Sequence, residues 1–561
     1  MINLRVEDGA IFQDDRQVCN AEIAIKNVYF STNMRPAAAR VVVRMSGMDD
    51  GAFVLDLEHM TFSALRQRMP LLRCGGPKDR QLLDAFLVEE LQKKITYDAK
   101  NGRKPIILLE PSGIQQVGEH YTAVVGGQVI ADELDYEVAV KQDRWKVPEP
   151  QPNMLLEFME FMKNAPAPVL LTAAFVATSM VRSIILESGI DFQGLLYVSG
   201  PQGVGKTTLA KKLAGFVKNP ETNREALFFD SSSTVAAIRD AMASARDLPI
   251  IIDDLCLSAG KNVQKKRIEL GAQIVREASN AACFTKKSRD GSAIELSCNA
   301  GVIVTAEFVL HNQSDITRCI AVKVSDPLQL PDGLNAQLAA GAMCNFLYAF
   351  VTHVPEAVKR LREMVAEGNA VSALEECEEQ RVRTNLLVLR WAFHELIEAL
   401  AVLHYTRRFA DELKQRFDEA LAESVEETQC ALEAVRSNIP EGNLAYIILR
   451  GYQNNDFHVL KNESKIGKLK QRAGIIWKGN LCLRPSALIP YIQRQNGYHD
   501  WSRNKIVSEL RKLGVLCIQG EDAATVRLTK DKDVPRVYHF NMEMLEAMAE
   551  YYCLGPNIYI K

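Results

Sequence analysis

Residues 200–207 read Gly-Pro-Gln-Gly-Val-Gly-Lys-Thr. Gly200, Gly205, Lys206 and Thr207 stand at the spacing of a phosphate-binding loop. The apolar run before it, Leu195-Leu196-Tyr197-Val198, reads as a buried strand, and the run after it, Thr207 to Ala214, reads as a helix. A strand feeding a helix through such a loop turns successive backbone N–H groups inward and aims a helix N-terminus at the same point. The loop residues Gly200, Pro201, Gln202, Gly203, Val204, Gly205, Lys206, Thr207 and Thr208 are therefore the expected cradle for a polyphosphate. Lys206 reaches the outer phosphates, and the Thr207 hydroxyl is placed for Mg²⁺. The competing reading is a chance glycine-rich turn, which both flanks argue against.

Working outward, a second apolar strand ends in two acids, Pro249-Ile250-Ile251-Ile252-Asp253-Asp254. In phosphate-loop ATPases the first acid holds the metal, and the second can orient or deprotonate the attacking water. Asp253 and Asp254 are assigned those roles, with the shorter reach of Asp254 leaving its role as base open. A third strand, Gly301 to Thr305, brings Thr305 to the carboxyl end of the sheet, where open α/β sheets bind ligands. Arg318 follows thirteen residues later, just before another strand, and reads either as a finger into a neighbouring subunit's nucleotide or as a surface ion pair. Arg381 and Arg383 open a later helix, either as further phosphate contacts or as a solvated face. Between the second and third strands, Asp290-Gly291 signals a hairpin. Lys286, Lys287 and Arg289 are expected at its tip, either gripping a nucleic-acid backbone or simply solvated.

The 561-residue chain is long enough for several domains. Its formal net charge of −3 excludes a uniformly basic coat, so contact with nucleic acid has to use local patches. The twelve cysteines form no Cys-x-x-Cys pair, which argues against a zinc module and a secreted disulfide scaffold and for a cytoplasmic location. No secretory signal is expected at the start. The apolar stretch 168–186 is interrupted by Thr172, Thr178, Ser179, Arg182 and Ser183, so it reads as a buried helix and no membrane contact is expected.

The pattern divides the chain into four parts. Residues 1–147 read as a mixed α/β N-terminal domain, with strands at 41–43, 53–55 and 105–109 and a helix at 85–94. A proline-rich break follows Trp145. Residues 148–332 alternate helices and apolar strands, the pattern of a parallel-sheet α/β core. Residues 333–438 are helical, the expected lid and connector. Residues 439–561 are locally basic: from Asp456 to Lys530 stand 14 lysines and arginines against 6 acids. Helices at 486–494 and 502–513, then strand-like runs at 515–518 and 537–540, suggest a winged-helix module with its wing at 520–532. Lys505, Arg511 and Lys512 are its candidate phosphate contacts, although such modules also bind proteins.

The order of phosphate loop, Asp-Asp strand, basic hairpin, Thr305-Ala306-Glu307 and then Ser314 to Arg318 resembles the AAA+ ATPases of bacterial mobile elements. Among these are the self-loading replicative helicases of staphylococcal cassette chromosomes, which are similar to minichromosome-maintenance helicases. The resemblance covers roughly residues 150–400. It implies an AAA+ core with helical lid, a homo-hexameric ring, ATP and Mg²⁺ between subunits, and DNA in the pore. The expected activity is an ATP-dependent DNA helicase or translocase in replication of a mobile element. One competing reading is a non-translocating AAA+ initiator, loader or defence-associated ATPase that remodels a protein–DNA complex. Another is a small-molecule kinase, which would leave the hairpin and the basic C-terminal part without a role.

Overall fold

The computed structural model describes residues 4–546 except 133, 142–143, 231, 256–260, 281–283, 288–292, 309, 311–312, 368–371, 376, 402–406, 438–443, 496–497, 499–500 and 518–523. Near the N-terminus a five-stranded mixed sheet runs in the order Glu137–Val140, Ile106–Leu109, Glu22–Phe30, Pro36–Arg44, Gly51–Asp56. The helix Pro77–Lys100 lays Leu83, Leu87 and Leu91 against Ile23, Val41 and Val43. This helix is longer than the expected 85–94. Pro77 at its first position starts it early, as proline's fixed φ allows. A polar first turn concealed that start.

A small antiparallel sheet follows, Gly113–Val117, His120–Val125 and Gln128–Ile130. Its Ile114, Ala123, Val125 and Ile130 belong to the same hydrophobic core as the central sheet, and so does Trp145. The Ile114 backbone N–H also donates to the buried Asp247 carboxylate at 2.8 Å. Packing is therefore continuous across the proline-rich break near residue 147.

The central sheet has five strands in the order Phe228–Phe229, Pro249–Leu255, Gly301–Ala306, Leu195–Ser199, Cys319–Lys323, all parallel. The three middle strands are almost wholly buried, as a parallel sheet covered on both faces requires. The apolar stretch 168–186 forms two helices, Ala167–Met180 and Arg182–Glu187, where one was expected. The break lies at Val181 (φ −123°, ψ 17°). In the first of these helices Thr172, Thr178 and Ser179 donate to the carbonyls of Pro168, Ala174 and Phe175 at 2.6, 2.8 and 2.7 Å. That satisfies three hydroxyls inside an apolar core. No single helix among the described residues is long and apolar enough to cross a membrane.

Four long helices follow the sheet, Ala336–Phe350, Val354–Glu367, Gln380–Ala401 and Arg407–Ser437, and the last two pack against its edge strand Cys319–Lys323. They continue the same core as far as Leu432. The C-terminal part has a separate core built on the helices Leu444–Gln453, Pro485–Gln493 and Arg503–Lys512. Its sheet runs Val459–Leu460, Gly474–Trp477, Asn480–Leu483, Tyr538–Phe540. Two of the expected helices stand within a residue of their predicted bounds. The expected strand at 515–518 is reduced to one bridge, Leu516 to Phe540, and Ile518 lies outside the described residues. Part of the expected wing, 520–523, also lies outside them. The hairpin Gly474–Trp477/Asn480–Leu483 was not anticipated, because Lys478-Gly479 is not among the commonest hairpin-turn dipeptides.

Candidate nucleotide site

The strand Leu195–Ser199 delivers the chain to Gly200, whose N–H donates to Ala306 O at 3.2 Å. A Cβ on Gly200 would lie 2.1 Å from the Val324 carbonyl oxygen, so only glycine lets the loop pass under the next strand. Gly205 adopts φ +95° immediately before the helix Lys206–Ala214. The loop is fastened from below by Val204, which is buried and accepts from Leu328 N at 3.0 Å. Gln202, Gly203 and Thr208 remain exposed, Pro201 and Thr207 partly so.

Lys206 is buried, and its Nζ donates to Gly200 O at 2.8 Å and Pro201 O at 2.7 Å. Burial pulls its pKa below the ordinary lysine value, while Glu307, Asp254 and Asp253 pull it back up. An incoming phosphate oxygen would replace the two carbonyls and leave the ammonium better neutralised.

Asp253 is buried and accepts from two hydroxyls on the same oxygen: Thr207 Oγ1 at 2.8 Å and Thr305 Oγ1 at 2.6 Å. Thr305 in turn accepts from the Asp254 N–H at 3.1 Å. The acid strand bulges between Ile252 and Leu255, and Asp254 sits in the left-handed region at φ +61°. Asp tolerates that conformation better than most residues. The bulge lets two adjacent acids diverge, with the Asp253 carboxylate turned in and Asp254 exposed. The Thr305 hydroxyl is thus occupied in holding Asp253 and the Asp254 backbone.

Thr207 and Asp253 present hard oxygens that already converge, which is the donor set Mg²⁺ uses together with phosphate oxygens and water. Magnesium bound there would neutralise phosphate charge. Among the described residues no group of three or more His, Cys, Asp or Glu side chains is arranged to hold a metal ion. Glu307 is a site residue to which sequence reasoning assigns no role. Its position two residues beyond Thr305 was the available signal.

The structure brings Lys206, Thr207, Asp253, Asp254 and Thr305 together. Arg318 lies elsewhere. It immediately precedes the edge strand Cys319–Lys323, and Cys319 pairs with Leu195, at the end of the loop strand opposite to Ser199. Five residues of strand separate the two ends, about 13 Å. Arg318 folds back on the Ser314 carbonyl and hydroxyl and donates to Asn280 Oδ1 at 3.2 Å. Burial lowers its pKa, and neighbouring Arg381 lowers it further. Arg381 donates to Thr317 Oγ1 at 3.3 Å. Arg276 joins the same end through a two-bond pair with buried Asp315, at 2.8 and 3.0 Å. Arg383 is turned away, donating to Cys377 O at 2.6 Å and Glu375 O at 3.2 Å.

The expected hairpin forms as Phe284–Lys287 paired antiparallel with Ala293–Leu296. Lys286 and Lys287 lie on its strand, opposite Ile294 and Ala293, rather than at the tip, and Arg289 lies outside the described residues. In the C-terminal part Lys505 holds its ammonium 4.0 Å over the Trp501 ring, and Arg511 is exposed on the same helix. Lys512 is that helix's last residue.

No protein-family model matches the chain, and no curated protein matches it. Similar solved structures include the active helicase Cch of SCCmec type IV, 14% identical over 97% of this chain and 98% of that one, with a TM-score of 0.49. They also include the C-terminal region of NrS-1, 9% identical over 92% and 96%, TM-score 0.27. A third is JCV helicase with a bound small molecule, 10% identical over 51% and 72%, TM-score 0.18. Two of these three are helicases by name. The geometry of the site itself carries the functional reading.

Proposed function

We propose that the chain is an ATP-dependent DNA helicase or translocase that works as a homo-hexameric ring, in the replication of a mobile element. The observation that carries the ATPase reading is the meeting of Lys206, Thr207, Asp253 and Thr305 at the carboxyl end of a parallel sheet. ATP would lie along residues 200–208, Thr207 and Asp253 would hold Mg²⁺, which would neutralise phosphate charge, and Asp254 would orient the attacking water. Hydrolysis converts ATP and water to ADP and phosphate, with Lys206 meeting charge on the outer phosphates.

The ring reading is supported by the position of Arg318. It stands at the far end of the sheet from its own phosphate loop and can serve a nucleotide only across a subunit seam. Arg381, beside Arg318, is assigned to the same seam as a nucleotide contact, and Arg383 would have to leave the Cys377 and Glu375 carbonyls to join it. Asn280, which Arg318 holds, lies four residues before the hairpin carrying Lys286, Lys287 and Arg289. Drawing Arg318 toward a neighbour's γ-phosphate would release Asn280 and move the base of that hairpin. The strand pairing of 481–483 with 538–540 and the two preceding helices support a winged-helix reading of the C-terminal part. Its DNA contacts are Lys505, Arg511 and Lys512. The role in a mobile element rests on the resemblance alone.

Strand displacement on a forked duplex tests the whole proposal. Wild-type protein with Mg²⁺-ATP is expected to separate the strands, and Lys206→Ala to lose both displacement and ATP hydrolysis. DNA-stimulated hydrolysis with no displacement would move the assignment to a non-translocating initiator or loader.

A further inference from the structure

The C-terminal part contains two hydrophobic cores, and its cations are divided between them. The larger core holds Ile506 and Leu510 of the helix Arg503–Lys512. The smaller one gathers Leu469, Ile475, Cys482, Val534 and Val537. Two basic segments, 461–478 and 524–537, wrap the smaller core. Together they carry ten lysines and arginines against three acids, Glu463, Asp531 and Asp533.

The first segment contains the 3-10 helix Glu463–Gln471. Leu469 is fully buried beneath it and Ile466 packs partly, while Lys461, Lys465, Lys468 and Arg472 are exposed. The neighbouring hairpin turns at Lys478 (φ +49°) and Gly479 (φ +78°), the two left-handed residues of a tight turn. Lysine is a costly choice at such a position, by about 1 kcal/mol. The Lys478 N–H donates to Glu463 Oε1 at 2.7 Å, which fastens the hairpin tip to the 3-10 helix. In the second segment Val526 pairs with Val537 and packs with Leu528 on the same core, leaving Arg527, Lys530 and Lys532 exposed. Of the three acids, Asp533 pairs with Lys470 at 3.0 Å and Glu463 is engaged by the hairpin.

We propose that this smaller lobe binds the phosphate backbone of duplex DNA, without regard to sequence, on a surface separate from the helix Arg503–Lys512. Its cations are mounted on hydrogen-bonded backbone, so less motion is lost when phosphates meet them. Trp477 is the one aromatic residue in the two segments and is half-buried, so the described residues of these segments offer no row of aromatic rings of the kind single strands stack on. Leu469 and Ile466 pack into the core, so the described part of the 3-10 helix presents its cations and not an apolar stripe of the kind a lipid surface takes. The inference deepens the DNA reading above and rests on it only for the identity of the polyanion.

The test uses the full chain and a labelled 30-base-pair duplex, followed by anisotropy from 50 to 200 mM salt. The triple variant Lys465→Gln, Lys468→Gln, Arg472→Gln is expected to bind at least tenfold more weakly. Its slope of log K against log salt should be shallower by about 2 to 3, roughly 0.9 for each phosphate no longer neutralised. The thermal melt and the ATPase rate without DNA stay unchanged. Lys505→Ala with Arg511→Ala should produce a second loss that adds to the first. An unchanged affinity and slope would overturn the proposal. So would an equal loss on oligo-dT, or a loss confined to phosphatidylserine vesicles. The ATPase reading fails separately: wild-type protein without ATP turnover, but with the altered slope in the triple variant, would sink that reading and leave this one standing.

Discussion

The two ends of the central sheet carry opposite charge. At the carboxyl end three acids, Asp253, Asp254 and Glu307, surround one buried lysine. At the amino end three arginines, 276, 318 and 381, gather around one buried acid, Asp315. Carboxylates outnumber the lysine at the first end, and guanidinium groups outnumber the carboxylate at the second. A polyphosphate with its metal satisfies both at once if the ends of two copies meet around it. Such a head-to-tail contact is heterologous and closes into a ring when the rotation allows. The opposite charge of the two ends is what the proposed contact between copies would draw on.

The comparison can be broken most directly at the acid end. Lys206→Ala should take steady-state ATP hydrolysis below detection while the circular dichroism melt stays in place. Undiminished turnover would remove the site. At the arginine end, Arg318→Ala should slow hydrolysis by about 10³-fold or more. Mixed with wild-type subunits it should poison activity beyond simple dilution, and a linear fall on mixing would show that Arg318 does not act across a seam.

A smaller change sharpens the acid end. Thr305→Val keeps the shape and removes the hydroxyl shared by Asp253 and the Asp254 N–H. Leaving those groups short of a partner should cost about 1–2 kcal/mol in a denaturant melt. Turnover should fall roughly tenfold with ATP affinity retained, since the mutation acts on positioning. Equal loss of affinity and turnover would place Thr305 among the groups that bind nucleotide.

The smallest effect lies away from both ends. His394 in the helix Gln380–Ala401 has its Nε2 sealed from solvent, and burial, then Arg390 and Lys414, lower its pKa to about 3. The unfolded chain binds this proton below about pH 6.5, the folded chain only near pH 3. Stability should therefore fall as pH drops through that window, by at most about 1.4 kcal/mol per pH unit. His394→Gln should flatten this dependence in urea melts at pH 7 and pH 5. The wild-type slope surviving in the variant would assign it to other groups.

Much of the site was legible because its chemistry is written in short, contiguous stretches. Gly200 to Thr207 is one loop, and Asp253-Asp254 is one strand end. The bulge that separates the two acids was hidden, since a left-handed residue at Asp254 is decided by its pairing with the Thr305 strand. Glu307 was passed over because a carboxylate after a strand has no meaning until a lysine is seen beside it. Asn280 as a partner of Arg318 was likewise out of reach, since it lies 38 residues away along the chain. In the C-terminal part the two helices were readable by period. The second core was not, because Leu469, Ile475 and Val537 come from three segments that show no common period.

By itself the sequence determined the glycine-rich loop between a strand and a helix, the order of the parallel strands, the buried helices and the basic bias of the last hundred residues. These follow from local spacing, from hydrophobic period and from charge counts, all properties of neighbours along the chain. Tertiary structure alone decided that Thr207 and Thr305 share one oxygen of Asp253, that Arg318 stands at the opposite end from Lys206, and that the C-terminal cations surround two cores. Those outcomes depend on which distant strands lie side by side, and pairing across a sheet is set by packing of the whole rather than by any one stretch of it.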